Sequence, residues 1–318
     1  MAHVADLRYY PLKSGRGYSV KRTQLTHDGI LDDRSWMLVQ DDPSHPKYRH
    51  HFSQREKGGK RLATIDTRLI PGWIGGELKA AFSALNAGVC EVDNPNAKND
   101  PSVWRDIFIH GNPVKGLDAG DEAAAWFSNY LETPVRLMRF PDWAKDGDGK
   151  HFLRPLKPAY YDVSDHTHYA DGGPLLVTNT ASLAQLQPLF NGPEIEMERF
   201  RPNIVIEGLE PWEEDIAHEI QIGKHLLIEI RKPCDRCGIP THNQMTGEAH
   251  PEQEPTRTLA KQRKGTSDEN LKGVFFGQNA VVRGVGTINV GDEVKIISRK
   301  DDVHLALRNT VMGYKIAA

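Results

Sequence analysis

The sequence predicts an α+β fold that is mostly β. Three observations carry this. Apolar residues recur in short runs, several alternating with polar ones as from Tyr18 to Leu25, which is the period of a half-buried strand. Glycine and proline, 28 and 20 of the 318 residues, punctuate those runs. Only Ala119 to Leu131 keeps helical spacing over a longer stretch: Ala124, Phe127 and Leu131 share a face, and Asp118 or Asp121 can cap it.

Taken in order, His3 to Tyr10 reads as a first strand, stopped by Pro11. In Lys13-Ser14-Gly15-Arg16-Gly17 the glycines let the backbone approach a ligand and the cations suit an anion; the same residues also make an ordinary turn. Tyr18 to Leu25 is a second strand. Gly29 to Arg34 leads into a third, Ser35 to Val39, with Asp32 or Asp33 as the partner for Arg34. Residues 41–60 read as a solvated loop in which His45, His50 and His51 lie among Pro46, Lys47 and Arg49. Arg61 to Thr67 and His110 to Gly116 are short strands, and Ile70 to Pro101 reads as irregular. After the helix, Pro134 and the strand Val135 to Met138 mark a join near residue 135. Residues 141–168 are loop-like.

Asp171-Gly172-Gly173-Pro174 precedes the apolar run Leu175 to Val177, and its glycines either face a ligand or make a simple turn. Thr180 caps a helix from Ala181 to Leu189. Phe200-Arg201-Pro202-Asn203 enters the strand Ile204 to Ile206; the plain structural expectation is Arg201 in a salt bridge and a left-handed Asn203. Trp212-Glu213-Glu214-Asp215 reads as exposed and acidic. Residues 251–270 read as charged and solvent-facing, with a short helix from Pro255 to Arg263. Gly291 to Ile296 closes the last strand, and residues 299–318 form a tail.

Lys232-Pro233-Cys234-Asp235-Arg236-Cys237-Gly238 holds two of the three cysteines, in a loop where the strand His225 to Arg231 ends. A nearby cation favours thiolate over thiol. Four readings fit the spacing. The pair is two plain, partly buried thiols. With His242 and His250 it is a zinc site. It is a redox dithiol, although Gly238 and Pro240 disfavour the helix such a motif opens. Or one thiolate binds the metal of a cofactor.

Composition narrows the class. A net charge of −3 gives no general pull toward nucleic acid or an anionic membrane. Three cysteines do not make a secreted disulfide framework. Residues 1–6 lack the features of a signal peptide, and no apolar run approaches the ~20 residues of a membrane helix. The expectation is a soluble, cytoplasmic protein with neither nucleic acid nor membrane as partner.

The cysteine loop continues through Gly238-Ile239-Pro240-Thr241, Thr246-Gly247-Glu248 and Glu254-Pro255-Thr256-Arg257 to Phe276-Gly277-Gln278-Asn279 and Gly286 to Val294. This order resembles the MOSC domain. Tyr10-Pro11-Leu12-Lys13-Ser14 and Asp33-Arg34-Ser35-Trp36 resemble the N-terminal β-barrel that precedes MOSC in amidoxime reducing components and bacterial YcbX-type proteins. Separated blocks in order are more specific than a lone Cys pair. The resemblance, over roughly residues 3 to 298, implies an N-terminal β-barrel-like domain over 1–135, a MOSC β-barrel domain with a few helices over 136–300, and a tail over 301–318.

It also implies a molybdenum cofactor, a pterin dithiolene ending in a phosphate, and two-electron reduction of N-hydroxylated compounds with oxygen lost as water. The matching cofactor-binding residues are Lys13, Ser14, Arg34, Asp171, Gly172, Gly173, Arg201, Asn203, Asp235, Arg236 and Cys237. Cys237 matches the metal ligand, and Cys237 and Asp171 are the catalytic candidates; Asp171 and His242 are nominated as proton donors. Relatives commonly carry Asp where His242 stands. Electrons are expected from a separate flavoprotein, ferredoxin or cytochrome. The sequence has no Gly-x-Gly-x-x-Gly after a strand and no cysteine beyond Cys237 to hold an iron–sulfur cluster. Glu210 to Asp215 and Lys261 to Lys264 are the expected docking surfaces. The alternative is a cofactor or sulfur carrier that forms a persulfide without turnover.

Overall fold

A computed structural model describes residues 1–70, 79–95, 101–141, 152–265 and 273–300. The first half carries β1 (His3–Tyr9), β2 (Tyr18–Val20), β3 (Arg22–Thr26), β4 (Gly29–Ile30), β5 (Trp36–Gln40), β6 (Asp66–Ile70), β7 (Lys79–Ala84), β8 (Gly88–Asp93), β9 (Trp104–Ile109), β10 (Asn112–Asp118), α1 (Asp121–Leu131) and β11 (Val135–Arg139). The second carries β12 (Leu175–Asn179), α2 (Thr180–Leu186), β13 (Ile204–Glu207), α3 (Glu213–Ile216), β14 (Ala217–Ile222), β15 (Leu226–Asp235), α4 (Thr256–Gln262), β16 (Phe275–Val282), β17 (Gly286–Asn289) and β18 (Val294–Arg299). The fold is mostly β with few helices, as the sequence predicts.

The largest sheet runs β18-β14-β15-β16-β12-β13-β1-β2. Strand pairing crosses the 135/136 join: β1 pairs antiparallel with β13, β3 with β17, and β11 with β5 and β10. Val4, Leu7, Leu25 and Ile30 therefore share one core with Val177, Ile204, Ile220, Ile228 and Val282. A second core, under β5, β7, β8, β11 and α1, gathers Trp36, Phe82, Phe127, Leu131 and Leu137; the α1 face named above is buried. β16 is buried along its whole length between β15 and β12. A polar pair in such a strand, Gln278 and Asn279, needs partners.

Several local expectations are corrected. The strand placed at Arg61 to Thr67 is a 3₁₀ turn at Gly59–Thr64 followed by β6. The irregular stretch from Ile70 to Pro101 contains the β7–β8 hairpin, while residues 71–78 and 96–100 lie outside the described residues. His110 and Gly111 form the turn of the β9–β10 hairpin rather than the start of a strand. Asn179, not Thr180, caps α2, its side chain accepting from the Ala181 N–H at 3.0 Å. Cys234 lies within β15, not in the loop after it.

The acidic run is not exposed. α3 turns Glu214 inward to Ser182 and Asn179 (2.8 and 3.1 Å) and Asp215 to Arg263 and Gln278 (2.5 and 2.6 Å). Both expected docking stretches are thus partly buried against each other through Asp215 and Arg263. The expected tail beyond residue 300 lies outside the described residues.

Candidate active site

Five chain segments converge on one cleft: the turn after β1, the lead-ins to β5, β12 and β13, and the end of β15. Residues 10–13 zip onto 34–36, with Arg34 N donating to Tyr10 O (2.8 Å), Trp36 N to Pro11 O (2.9 Å) and Lys13 N to Trp36 O (2.7 Å). Asn203 N donates to Leu176 O (2.8 Å), fixing the second pair of segments. Together they line a cleft enclosing about 700 Å³, open mouth included. All eleven residues matched from the sequence, Lys13, Ser14, Arg34, Asp171, Gly172, Gly173, Arg201, Asn203, Asp235, Arg236 and Cys237, line it.

The cleft is built around stacked cations. The guanidiniums of Arg34 and Arg201 lie 4.2 and 4.3 Å from the centre of the Tyr10 ring, so its π electrons offset part of their repulsion. Arg34 also pairs with Asp33 and donates to Asn203 Oδ1 (3.0 Å) and Arg201 O (3.1 Å). Arg201 makes no ion pair among the described residues. Its Nη1 donates to Gly15 O (2.6 Å) and Gln244 Oε1 (3.1 Å), and burial together with the Arg34 charge pulls its pKa down to about 10. Its backbone, not that of Asn203, is left-handed (φ 58°), as are Ser14 (63°) and Arg34 (47°). Left-handed non-glycine residues each cost about 1–3 kcal/mol and gather at functional sites.

Arg201 Nη2 and Arg236 Nε are buried without a hydrogen-bond partner among the described residues. A buried unpaired donor costs ~1–3 kcal/mol, so these two N–H groups lack an acceptor that the protein itself does not supply. Gly172 and Gly173 pack where a Cβ would fall 2.9 Å from the Asn279 amide and 2.8 Å from the Tyr161 hydroxyl. This donor set fits a phosphate-bearing group lying along a glycine wall.

Asp171 sits at the mouth. Its Oδ1 is bonded to both Lys13 Nζ and His110 Nε2, the latter at 2.7 Å. Burial pushes the carboxyl up, but the Lys13 charge and the His110 bond outweigh it and hold Asp171 well below the usual carboxylate range. Burial pulls Lys13 down against the opposing effect of Asp171. The hydrogens of this triad are carried by Lys13 Nζ and His110 Nε2.

Cys234 Sγ lies 3.0 Å from Arg236 Nη1, whose Nη2 donates to Phe200 O at 2.7 Å. Cys237 is exposed at the cleft wall. The zinc reading fails: among the described residues no group of three or more His, Cys, Asp or Glu is disposed to hold a metal. His250 Nδ1 accepts from the Glu252 and Glu254 backbone (3.2 and 3.4 Å), the role of a turn cap, and His242 does not line the cleft.

Asn203 is drawn in differently from the expectation. Its Oδ1 accepts from Arg34 and from Leu176 N (3.1 Å) and its Nδ2 donates to Arg8 O (3.2 Å), so its amide braces the cleft. The sequence reading missed Tyr10, Gln54, His110, Gln244 and Asn279. Gln54 and Gln244 bond each other, and Gln54 holds Ser14 O at 2.8 Å. A buried polar residue inside an apolar strand was a signal for Asn279, and Tyr10 opens a block that carries the resemblance; Gln54, His110 and Gln244 carry none.

Residues 1–134 match the family model described as the MOSC N-terminal beta barrel domain, and residues 164–295 the MOSC domain. Mitochondrial amidoxime reducing component 2 of Rattus norvegicus is 31% identical over 304 residues, 92% of this chain and 82% of that protein. The chain belongs to the MOSC family. The human proteins named mitochondrial amidoxime reducing component 2 and component 1 are 30% and 28% identical, covering 92% and 93% of this chain and 82% and 83% of their own lengths. Of the blocks seen in the sequence, those carrying Lys13 and Ser14, Arg34, Asp235 to Cys237 and Asn279 meet at the cleft. Residues 135–163 fall between the two matched regions. No helix among the described residues is long and apolar enough to cross a membrane.

Proposed function

We propose that this chain is a molybdenum-dependent reductase of N-hydroxylated compounds such as amidoximes, fed by a separate electron-donor protein. One observation carries the proposal. A single cleft combines two unpaired buried guanidinium N–H groups, a glycine wall and one exposed thiol, in a chain whose relatives are named amidoxime reducing components. In this reading Arg34, Arg201 and Arg236 hold the cofactor phosphate and pterin edge, Gly172 and Gly173 let it approach the backbone, and Cys237 is the protein's ligand to the metal. The cofactor, when bound, supplies a metal that cycles between oxidation states, for which a soft thiolate is suited. Cys234, tied to Arg236, positions that arginine.

The proton chemistry belongs to the triad at the mouth. An ionised Asp171 is an acceptor at neutral pH and does not act as the acid. It orients Lys13 and His110, and His110 Nε2 holds the proton nearest the opening. Molybdenum and pterin analysis of protein made in a cofactor-competent host, beside benzamidoxime reduction with an artificial donor, tests the reading. Absence of both metal and pterin would sink it. A persulfide on Cys237 without turnover would favour the carrier alternative.

A further inference from the structure

A second cavity adjoins the cleft, and Asp171 and Gly172 form the wall they share. It encloses about 1260 Å³, open mouth included, and its rim is stiffened by Pro113, Pro155 and Pro158. Three cations line it: Arg154, Lys157 and Lys232. Lys157 and Lys232 reach the ring of Tyr160, their ammoniums 5.5 and 4.7 Å from its centre. Arg154 Nη1 donates to the carbonyls of His168 (2.8 Å) and Ala170 (2.5 Å). None of the three has a carboxylate within ion-pair range among the described residues. The one acidic group lining the cavity, Asp171, is already shared by Lys13 and His110.

Two local features bring this about. The β15–β16 ladder shifts register between Ile230 and Lys232, and such a bulge re-aims a side chain. Arg154, Lys157 and Tyr160 come from residues 135–163, between the two regions that match the family models. Two ammoniums at one ring, with no carboxylate in ion-pair range among the described residues, leave an open demand for an anion. The apolar face of the rim, with Val114 and Leu156, suits the body of a small organic molecule.

We propose that this cavity is an anion subsite for the substrate. It seats a phosphate or carboxylate carried by the N-hydroxylated compound on Lys157 and Lys232, while the N–O group enters the neighbouring cleft. The proposal rests on the reductase reading for the word substrate, but not for the anion.

The test titrates 4-carboxybenzamidoxime, uncharged benzamidoxime and inorganic phosphate calorimetrically into the holoprotein and into its Lys157→Gln/Lys232→Gln variant. Turnover of both amidoximes is followed with an artificial donor. The carboxylated compound should bind about tenfold more tightly than the neutral one, as charge-assisted contacts allow. The double variant should erase that preference and lower the ratio of the two kcat/KM values about tenfold, through KM. Lys157→Arg/Lys232→Arg, which keeps the charges, should restore it and guards against a folding defect. Competition by inorganic phosphate supports a shared anion site. A preference that is absent, or that survives in the glutamine variant, overturns the proposal, as does phosphate binding without any preference for the carboxylated compound. If neither amidoxime turns over while the charge preference persists and depends on the lysines, the anion subsite stands and the reductase reading falls.

Discussion

Tyr10 holds two guanidiniums side by side that would otherwise repel, and buried next to them its own hydroxyl is pushed up to about 12. It stays neutral and donates to Pro202 O at 3.1 Å. Of the two cleft arginines with an unpaired donor, Arg201 makes no ion pair among the described residues, so Arg201→Ala should lower cofactor retention about ten- to a hundredfold. Pterin remaining after dialysis measures this. An equal fall in melting temperature for apo and holo protein would mark Arg201 as structural instead. For the thiols, Cys237→Ala should abolish amidoxime reduction while Cys234→Ala leaves a measurable fraction, because Cys234 faces Arg236 and Cys237 is open. Equal and total losses in folded variants would refute the assignment. At this scale the sequence named residues that line one cleft but not their contacts. Arg201 and Asn203 were both visible, yet only three-dimensional pairing reveals that Asn203 is fully bonded and Arg201 is not.

Among the elements, the segment 152–170 matters most, since it walls both cavities. It has no strand among its described residues and is pinned from outside: Arg283 grips Asp165 at 2.6 Å, and His166 Nδ1 meets Asp28 beside β4 at 2.5 Å. The Asp28 bond raises the His166 pKa against the opposing effect of burial. For Asp28, burial acts upward but His166 and its neighbours outweigh it, giving a net lowering. The sign follows. The His166 contribution is fully present below about pH 6.5 and is lost as pH rises through its raised folded value; the Asp28 contribution is present above about pH 3.9 and is lost in acid. Discounted for its partial exposure, the link is worth about 0.5 kcal/mol. Urea unfolding at pH 6 and pH 8.5 should show His166→Gln destabilising only at the lower pH; an equal effect at both would exclude titration as the cause. The strands beside this segment were legible as alternating runs. The β7–β8 hairpin was not, since glycine-rich flanks hid it, and α3 was misread because a run of three acids is usually solvated. Here a single helical turn points two of them inward, to Ser182 and Arg263.

For the molecule as a whole, the proposed reductase draws its electrons from a separate donor protein. Purified protein should reduce no amidoxime with NADPH alone, and turnover with a donor protein should fall as salt rises if that contact is transient and charged. Reduction by NADPH unaided would refute the need for a donor. The interleaving of β1 and β3 with strands some two hundred and more residues downstream also sets an order of birth. During synthesis the opening strands emerge long before β13 and β17 exist, and at ~5–20 residues per second that wait lasts tens of seconds. The downstream partners of Val4, Leu7 and Leu25 in the shared core are not yet made during that wait. The strand that joins β15 to β12, β16, is made last of the elements that line the cleft. A ribosome stalled before residue 273 therefore carries every arginine and both thiols of the site, yet not the strand that joins β15 to β12.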